Sequence, residues 1–359
     1  VAIISGIYIT FGGQTAVIFT DLAQGFILIF AGILVFVMGV NYVGGFSVFW
    51  NALSPEFKLP LAHFNHPANF NFVGIFWQDG VAGSVGFLFM NQGLIMRFMA
   101  CKSVHEGRKA AAFNVLVLLP ISTIVVSNAG WTGKAISIVT PEAWNAATKL
   151  DHVFTQVAYL ITGSEVVFAF VIAAVAAALM STVDTLINAV AAVVINDVYR
   201  PLVKGKDDKH YLKIAMIVSA GATVVGAVST IFFNNFPTLY EAHGFFHSTM
   251  TPPLVVAIFL GIFWKRYNTP AALATFLGGA VLMAIGGKYP EIFISPFDHG
   301  IEFNPDRPYS YIRALYNTLV CAGSGVIVGL LTTPPTDMKT EGLTVWSLDK
   351  TREFFKGSA

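Results

Sequence analysis

The stretch AAVAAALMSTVDTLINAVAAVVINDVYR, residues Ala173–Arg200, decides how this chain folds. It continues an apolar run that begins near residue 165, and residues 165–195 would span roughly 45 Å at about 1.5 Å per residue, enough to cross a bilayer with tilt. A carboxylate at the centre of such a helix costs about 2.5–3.5 kcal/mol on insertion scales, so polar groups there need a stabilising partner. The polar residues at this depth are Ser181, Thr182, Asp184, Thr185 and Asn188.

One face of this helix carries most of those oxygen atoms. Asp184 and Asn188 flank the face, and hydroxyl, carbonyl and carboxylate oxygens are the groups that replace water around a hard cation. The pattern therefore predicts a cation site. In the alternative interpretation, the hydroxyls bond to carbonyl oxygens four residues earlier and Asp184 pairs with a neighbouring helix. The residues that share the face at i, i+3, i+4 and i+7 are Ala178, Ser181, Thr182 and Thr185.

The composition is that of a polytopic membrane protein. Of 359 residues, 55% are hydrophobic and only 11% are charged, against about 25% charged in a soluble domain. A net charge of +1 without a basic stripe gives no reason to expect a nucleic-acid partner. Cys101 and Cys321 are too far apart to suggest a metal motif or a disulfide framework. No nucleophile with a base and no phosphate-binding loop is evident, so we expect no catalytic residues and no enzyme activity.

Apolar segments of membrane-spanning length recur along the chain. Gly12-Gly13 ends a short stub at residues 1–10, Pro120 is expected to kink its span, and Pro252-Pro253 is expected to bend or unwind another. A loop is predicted around residues 131–153. If the span 16–43 runs outward, most of the 21 Lys and Arg residues fall in segments on the inner side of the membrane. This excess of positive charge predicts that the C-terminus is cytoplasmic. The predicted spans are 16–43, 72–99, 112–129, 165–195, 212–233, 239–264, 271–287 and 314–331.

Four motifs, in the same order, resemble those of the solute:sodium symporter family, with the closest likeness to its sodium/glucose cotransporter branch. They are FGGQTAVIFTDLAQ (Phe11–Gln24), MNQGLIMRFMACKSVHEGRKA (Met90–Ala110), ALMSTVDTLINAVAAVVINDVYR (Ala178–Arg200) and PPLVVAIFLGIFWKRYNTPAA (Pro252–Ala272).

The resemblance implies an all-α fold of two inverted five-helix repeats with the sites at their interface. On that alignment the first repeat is mostly missing. The expected divisions are 1–43, the end of the first repeat; 44–71, an extracellular loop; 72–264, the second repeat; 265–332, two peripheral transmembrane helices; and 333–359, a cytoplasmic tail.

The resemblance also implies ion-binding residues. The common sodium site of the family falls on the carbonyl of Ala178 and the hydroxyls of Ser181 and Thr182. A second cation site, found in some members, falls on Asp21, Ser181, Asp184 and Thr185. A carboxylate at position 184 departs from the hydroxyl of two-sodium members, which leaves the number of ions, and a proton in place of one of them, open. Asp21 also suits the N-terminal end of its own helix.

For the solute, the resemblance places Asn91, Gln92 and His243 in the binding site. The alternatives are that Asn91-Gln92 joins helices by hydrogen bonds, and that His243 with His247 forms a metal pair, although no third ligand is evident. Gly93 replaces an aromatic gate residue of sugar carriers, and apolar residues around Leu116 replace a sugar-binding Lys.

These expectations combine into one function. The chain is expected to belong to a sodium-coupled symporter in the cell membrane, the plasma or inner membrane, importing a small polar solute, foremost a sugar. Carriers of sialic acid, amino acids or carboxylates share the motifs. A ligand sensor built on the same fold is the alternative of another class.

Overall fold

The computed structural model describes residues 2–58, 72–233, 236, 238–298, 309, 311–336 and 340–347. Over those ranges the chain is helical and contains no strand, as the sequence predicts. Residues 59–71 of the predicted extracellular loop, and residues 337–339 and 348–359 of the predicted tail, lie outside the described residues.

The helices form two compact units. The first unit comprises Val1–Leu59 and Gln92–Leu239, and the second comprises Pro60–Asn91 and Tyr240–Ala359. Four π-helical stretches, Phe76–Val85, Asn114–Leu118, Val194–Tyr199 and Ala274–Gly278, join the α-helices. The α-helices are α1 (Ala2–Tyr42), α2 (Phe46–Ala52), α3 (Pro55–Lys58), α4 (Phe72–Ile75), α5 (Gly86–Met90), α6 (Gln92–Met99), α7 (Val104–Phe113), α8 (Leu119–Val139), α9 (Val153–Thr162), α10 (Glu165–Val193), α11 (Arg200–Leu202), α12 (Asp208–Phe233), α13 (Leu239–Phe263), α14 (Thr269–Leu273), α15 (Gly279–Lys288), α16 (Pro290–Phe293) and α17 (Arg313–Leu331).

Seven helical segments within the described ranges are long and apolar enough to cross a membrane, which identifies a multi-pass membrane protein. Two boundary predictions are wrong. The loop predicted around 131–153 begins later, because α8 continues to Val139. The predicted span 72–99 is not one helix, because residues 76–85 are π-helical and Asn91 is non-helical. The seven segments are Thr15–Tyr42, Val104–Val139, Glu165–Leu202, Asp208–Phe233, Leu239–Phe263, Thr269–Lys288 and Arg313–Leu331.

A glycine bends the first helix of the chain sharply. Gly13 has φ 57° and ψ −155°, a conformation that is essentially confined to glycine. In a straight helix Ser5 and Asp21 would be about 24 Å apart at about 1.5 Å per residue. Ser5 instead faces Asp184, and Asp21 bonds to Ser181, one helical turn away on α10. The two arms of α1 therefore fold back from Gly13 and meet α10 at nearly the same height.

Small residues let α1 and α8 approach closely in the first unit. A Cβ on Gly32 would lie 2.2 Å from Cγ1 of Val125, and one on Gly39 would lie 2.4 Å from Cγ2 of Thr132. The buried Asn128 amide donates to the Gly32 carbonyl at 3.0 Å. Small-residue contacts of this kind bring membrane helices together where the hydrophobic effect contributes little.

Gly39→Leu is expected to lower the stability of the purified protein by about 1–3 kcal/mol, because the added side chain overlaps Thr132 on α8. Thermal unfolding in detergent measures the effect. Gly25→Leu on the same helix is the matched control, since nothing lies within 4 Å of its added Cβ. Equal melting temperatures for the two variants would contradict the packing assignment.

In the second unit, α13 keeps its helical form across Pro252-Pro253, so the predicted unwinding is wrong. Pro252 has no N–H for the carbonyl of Ser248, four residues earlier. The amide of Asn317 on α17 donates to that carbonyl instead, at 2.7 Å. A side chain from a neighbouring helix thus replaces one of the two hydrogen bonds that the proline pair removes, and the helix continues.

Candidate ion and solute sites

A hydrogen-bonded ion pair joins α1, α6 and α10 in the first unit. Ser181 donates its hydroxyl to Oδ1 of Asp21 at 2.5 Å, and the guanidinium of Arg97 forms an ion pair with Oδ2 of the same carboxylate. The same Nη2 of Arg97 donates to Oγ1 of Thr185 at 2.6 Å, and Thr185 donates to the Ser181 carbonyl at 3.0 Å. Only 14% of the Asp21 side chain is exposed, so the guanidinium balances a mostly buried charge.

Three of the four residues predicted for a second cation site meet in this arrangement, namely Asp21, Ser181 and Thr185. The positive charge beside them belongs to Arg97, which the sequence analysis did not assign to the site. Arg97 lies near the end of α6, and in the sequence it entered only the count of Lys and Arg residues. Its long side chain reaches back from the helix end, a reach that the residue's position in the sequence does not reveal.

The fourth residue, Asp184, faces another way. Its side chain is fully buried, and neither carboxylate oxygen has a hydrogen-bond partner in the described part of the chain. The Ser5 hydroxyl, on the first arm of α1, faces this carboxylate and is likewise buried without a hydrogen bond of acceptable geometry. Asp184 and Ser5 thus form a second polar pair on α1 and α10, separate from the Asp21 pair.

The residues predicted for the common sodium site lie next to one another along α10. Thr182 donates to the Ala178 carbonyl at a long 3.3 Å, and its side chain is exposed in this chain. Thr182 and Thr185 therefore both donate to carbonyl oxygens four residues earlier on α10, as the alternative interpretation expects. Ser181 bonds to Asp21 on another helix. The chemistry of this face, one carbonyl and two hydroxyls, fits a hard cation such as Na⁺.

The predicted solute residues fall on both units. Asn91 is the single non-helical residue between α5 and α6, and the boundary between the two units falls between it and Gln92. His243 is exposed on α13, and its ring centroid lies 3.9 Å from that of His247. The metal pair gains no support, since no three His, Cys, Asp or Glu residues in the described ranges are placed to hold an ion.

A further polar group in the second unit was missed by the sequence analysis. Tyr240 donates to Oδ2 of Asp79 at 2.6 Å, and the buried Gln78 amide reaches Oδ1 at 3.3 Å. The sequence signal was the adjacent Gln78-Asp79 pair inside an apolar stretch. We call Gln78, Asp79, Tyr240, His243 and His247 the Asp79 cluster.

Fold and site together define a polytopic helical membrane protein with an interrupted helix and a group of oxygen atoms on a helix of membrane-spanning length. The family model for the sodium:solute symporter family matches residues 1–279, and the chain belongs to this family.

Named relatives and a solved structure agree with this assignment. The chain is 23% identical to the sodium/glucose cotransporter of Vibrio parahaemolyticus, over 76% of this chain and 53% of that protein. It is 26% identical to the human sodium/myo-inositol cotransporter, over 94% of this chain and 52% of that protein. It is also 26% identical to the sodium/sialic acid symporter NanT of Aliivibrio fischeri, over 74% and 53%. The chain thus spans about half the length of these relatives.

A structure of a Na⁺-coupled sialic acid symporter in a substrate-bound outward-open state has the same fold. It matches with a TM-score of 0.69 at 19% identity, over 93% of this chain and 66% of that one.

Proposed function

We propose that the whole protein is a sodium-coupled symporter that imports a small polar organic solute, foremost a sugar or a sugar-like molecule. The observation that carries the proposal is the group of oxygen atoms around Ser181 on a helix of membrane-spanning length. Membership of the sodium:solute symporter family and the sodium-coupled relatives support it. The sialic acid relative and an osmoregulated proline transporter of Bacillus subtilis, 26% identical over 78% of this chain, support other solutes within the same mechanism.

In this proposal Na⁺ binds the Ala178 carbonyl and the hydroxyls of Ser181 and Thr182. Arg97 supplies, beside Asp21, Ser181 and Thr185, the positive charge that a second sodium ion would otherwise bring. Asp184 with Ser5 is the position at which a further cation would be stabilised most, because a buried carboxylate to which the described part of the chain supplies no positive charge is costly. Sodium binding would favour the outward-open state, and the sodium gradient and membrane potential drive import, at about 2.3 kcal/mol per charge per 100 mV.

The remaining parts of the proposal concern the solute and the membrane. Asn91, Gln92 and His243 contact the solute. Residues 1–43 end one inverted repeat, residues 72–264 form the other, and residues 265–332 are peripheral. The protein lies in the plasma or inner membrane with its C-terminus in the cytoplasm, and it acts neither as an enzyme nor on nucleic acid.

Replacing both Ser181 and Thr182 with Ala in the full-length protein is expected to raise the sodium concentration for half-maximal uptake at least about 100-fold, because two bonds to a charged group, at the lower figure of about 1.5 kcal/mol each, contribute about 3 kcal/mol. Radiolabelled uptake of glucose, myo-inositol, sialic acid and proline into proteoliposomes, with a sodium or a choline gradient, measures this. Ser229→Ala with Thr230→Ala is the matched control, because this adjacent pair on α12 bonds only to its own helix in the described contacts. Uptake that is equally fast in choline and in sodium would refute the proposal.

A further inference from the structure

We propose that the Asp79 cluster recognises the hydroxyl groups of a polyhydroxylated solute, in addition to the contacts proposed for Asn91 and Gln92. The inference rests on the proposed transport function, and it assigns binding roles to Gln78, Asp79, Tyr240 and His247.

Close helix packing builds the cluster. A Cβ on Gly244 would lie 2.6 Å from Nε2 of Gln78, and one on Gly83 would lie 2.7 Å from Nδ1 of His247. Gln78 lies beside Gly244, and Gly83 lies beside His247, so the numbers of the neighbouring residues rise together. The stretch that begins at Phe72 therefore runs in the same direction as α13. The stretch Phe76–Val85 is π-helical over ten residues, a rare geometry that occurs often at functional sites. The two glycines therefore bring a polar segment of one helix directly against the imidazoles of the other.

The carboxylate at the centre has capacity for more donors. An ionised carboxylate offers about four acceptor positions. Tyr240 takes one at 2.6 Å, and Gln78 takes another with a weak contact of 3.3 Å. No Lys or Arg in the described ranges lies within ion-pair distance of Asp79. A hydroxyl donor to an ionised carboxylate forms a charge-assisted hydrogen bond, so the acceptor positions that remain on Asp79 suit further hydroxyl donors.

The neighbouring side chains favour hydroxyl groups over an ammonium group. Nδ1 of His247 is buried without a hydrogen-bond partner in the described part of the chain, and the His243 ring lies against it, exposed. A neutral imidazole offers one donor and one acceptor, and an amide offers both. A hydroxyl group also donates and accepts, so it satisfies such a mixture. An ammonium group only donates, and it would leave the imidazole and amide donors unpaired.

An aromatic surface adjoins the carboxylate. The rings of Tyr240 and Tyr311 have their centroids 6.1 Å apart, and aromatic rings bury the apolar C–H face of a sugar ring. Tyr311 has φ 70°, which is unusual for a tyrosine. Gly74 allows Tyr311 and Ile312 to approach, because a Cβ there would lie 2.7 Å from the backbone nitrogen of Ile312. Strained backbone of this kind concentrates at binding sites.

Asp79→Asn in the full-length protein tests the inference. Equilibrium binding of radiolabelled glucose, myo-inositol and sialic acid to the purified protein, and sodium-driven uptake of each, are measured. We expect the variant to raise the dissociation constant and KM for the bound polyol about tenfold, with the sodium concentration for half-maximal uptake unchanged within about twofold. Ser84→Ala is the matched control, because its exposed hydroxyl bonds only to the Asp79 backbone among the described contacts.

Monodeoxy analogues of the bound polyol identify the hydroxyl concerned. At least one analogue is expected to bind the wild type about tenfold more weakly than the parent solute, and Asp79→Asn should reduce that difference below about twofold. Should Asp79→Asn fail to fold, His247→Gln and Tyr240→Phe take its place in the same cycle. The inference is overturned if every one of these variants that folds binds the polyols as tightly as the wild type does. It is also overturned if the wild type binds none of the polyols. If uptake by the wild type does not depend on sodium, but Asp79→Asn still weakens polyol binding, the proposed function is overturned and the inference stands.

Discussion

Arg97→Gln is expected to destabilise the protein by about 2–3 kcal/mol and to make its stability depend strongly on sodium. The substitution removes the only cation that the described contacts place on Asp21 and leaves a carboxylate of which 14% is exposed. Breaking a buried pair by removing one partner costs about 3–5 kcal/mol, and we expect the lower figure because about a third of Arg97 is exposed. Without the guanidinium, Asp21, Ser181 and Thr185 become available to a sodium ion. Thermal unfolding is measured at increasing sodium concentration, with choline keeping the total salt concentration constant. The melting temperature should rise more with sodium for the variant than for the wild type.

The matched control for this experiment is the double variant Arg97→Gln with Asp21→Asn. Because it carries neither charge, it should recover most of the lost stability and lose the added response to sodium. If the double variant is no more stable than Arg97→Gln alone, the ion pair is not what stabilises this junction of α1, α6 and α10.

Gly13→Ala is expected to cost about 1–3 kcal/mol and to impair sodium-driven uptake by the full-length protein. A Cβ is strained at φ 57° and ψ −155°, and relief of that strain requires the bend to open. Opening the bend separates Ser5 from Asp184 or Asp21 from Ser181, since one bend positions both arms. Melting temperature and the sodium dependence of uptake measure the two effects.

Gly221→Ala on α12 is the control for Gly13→Ala. It adds the same methyl group at a helical position with nothing within 4 Å. A Gly13→Ala protein with the melting temperature and sodium dependence of the control would show that the bend does not position the two polar pairs.

The sequence predicted that Ser181 and Thr185 share one face of α10, because helical spacing is a local property. Ser181 and Thr185 lie on that face in the structure, next to Asp21. Helical spacing could not predict which arm of α1 the side chain of Asp184 meets. Asp184 is only about 60° from Ser181 around the helix, and the helix arm it meets depends on the bend at Gly13. Arg97 was not assigned to the site, since charge counting records which side of the membrane a residue favours and not the reach of its side chain.

The absence of unwinding at Pro252-Pro253 has a similar origin. A proline pair predicts two missing donors, and local reasoning expects the helix to yield. The compensating donor, Asn317, lies on a different helix far along the chain. Gln78-Asp79 was passed over for a related reason, since its partner Tyr240 is distant in sequence.

The bond from Asn317 to the Ser248 carbonyl also limits how the second unit can deform. Sliding α17 away from α13 would break the bond to that oxygen and leave it without the donor that Pro252 cannot supply. We therefore expect α13 and α17 to stay in contact at this level, since separating them there costs about 1–3 kcal/mol.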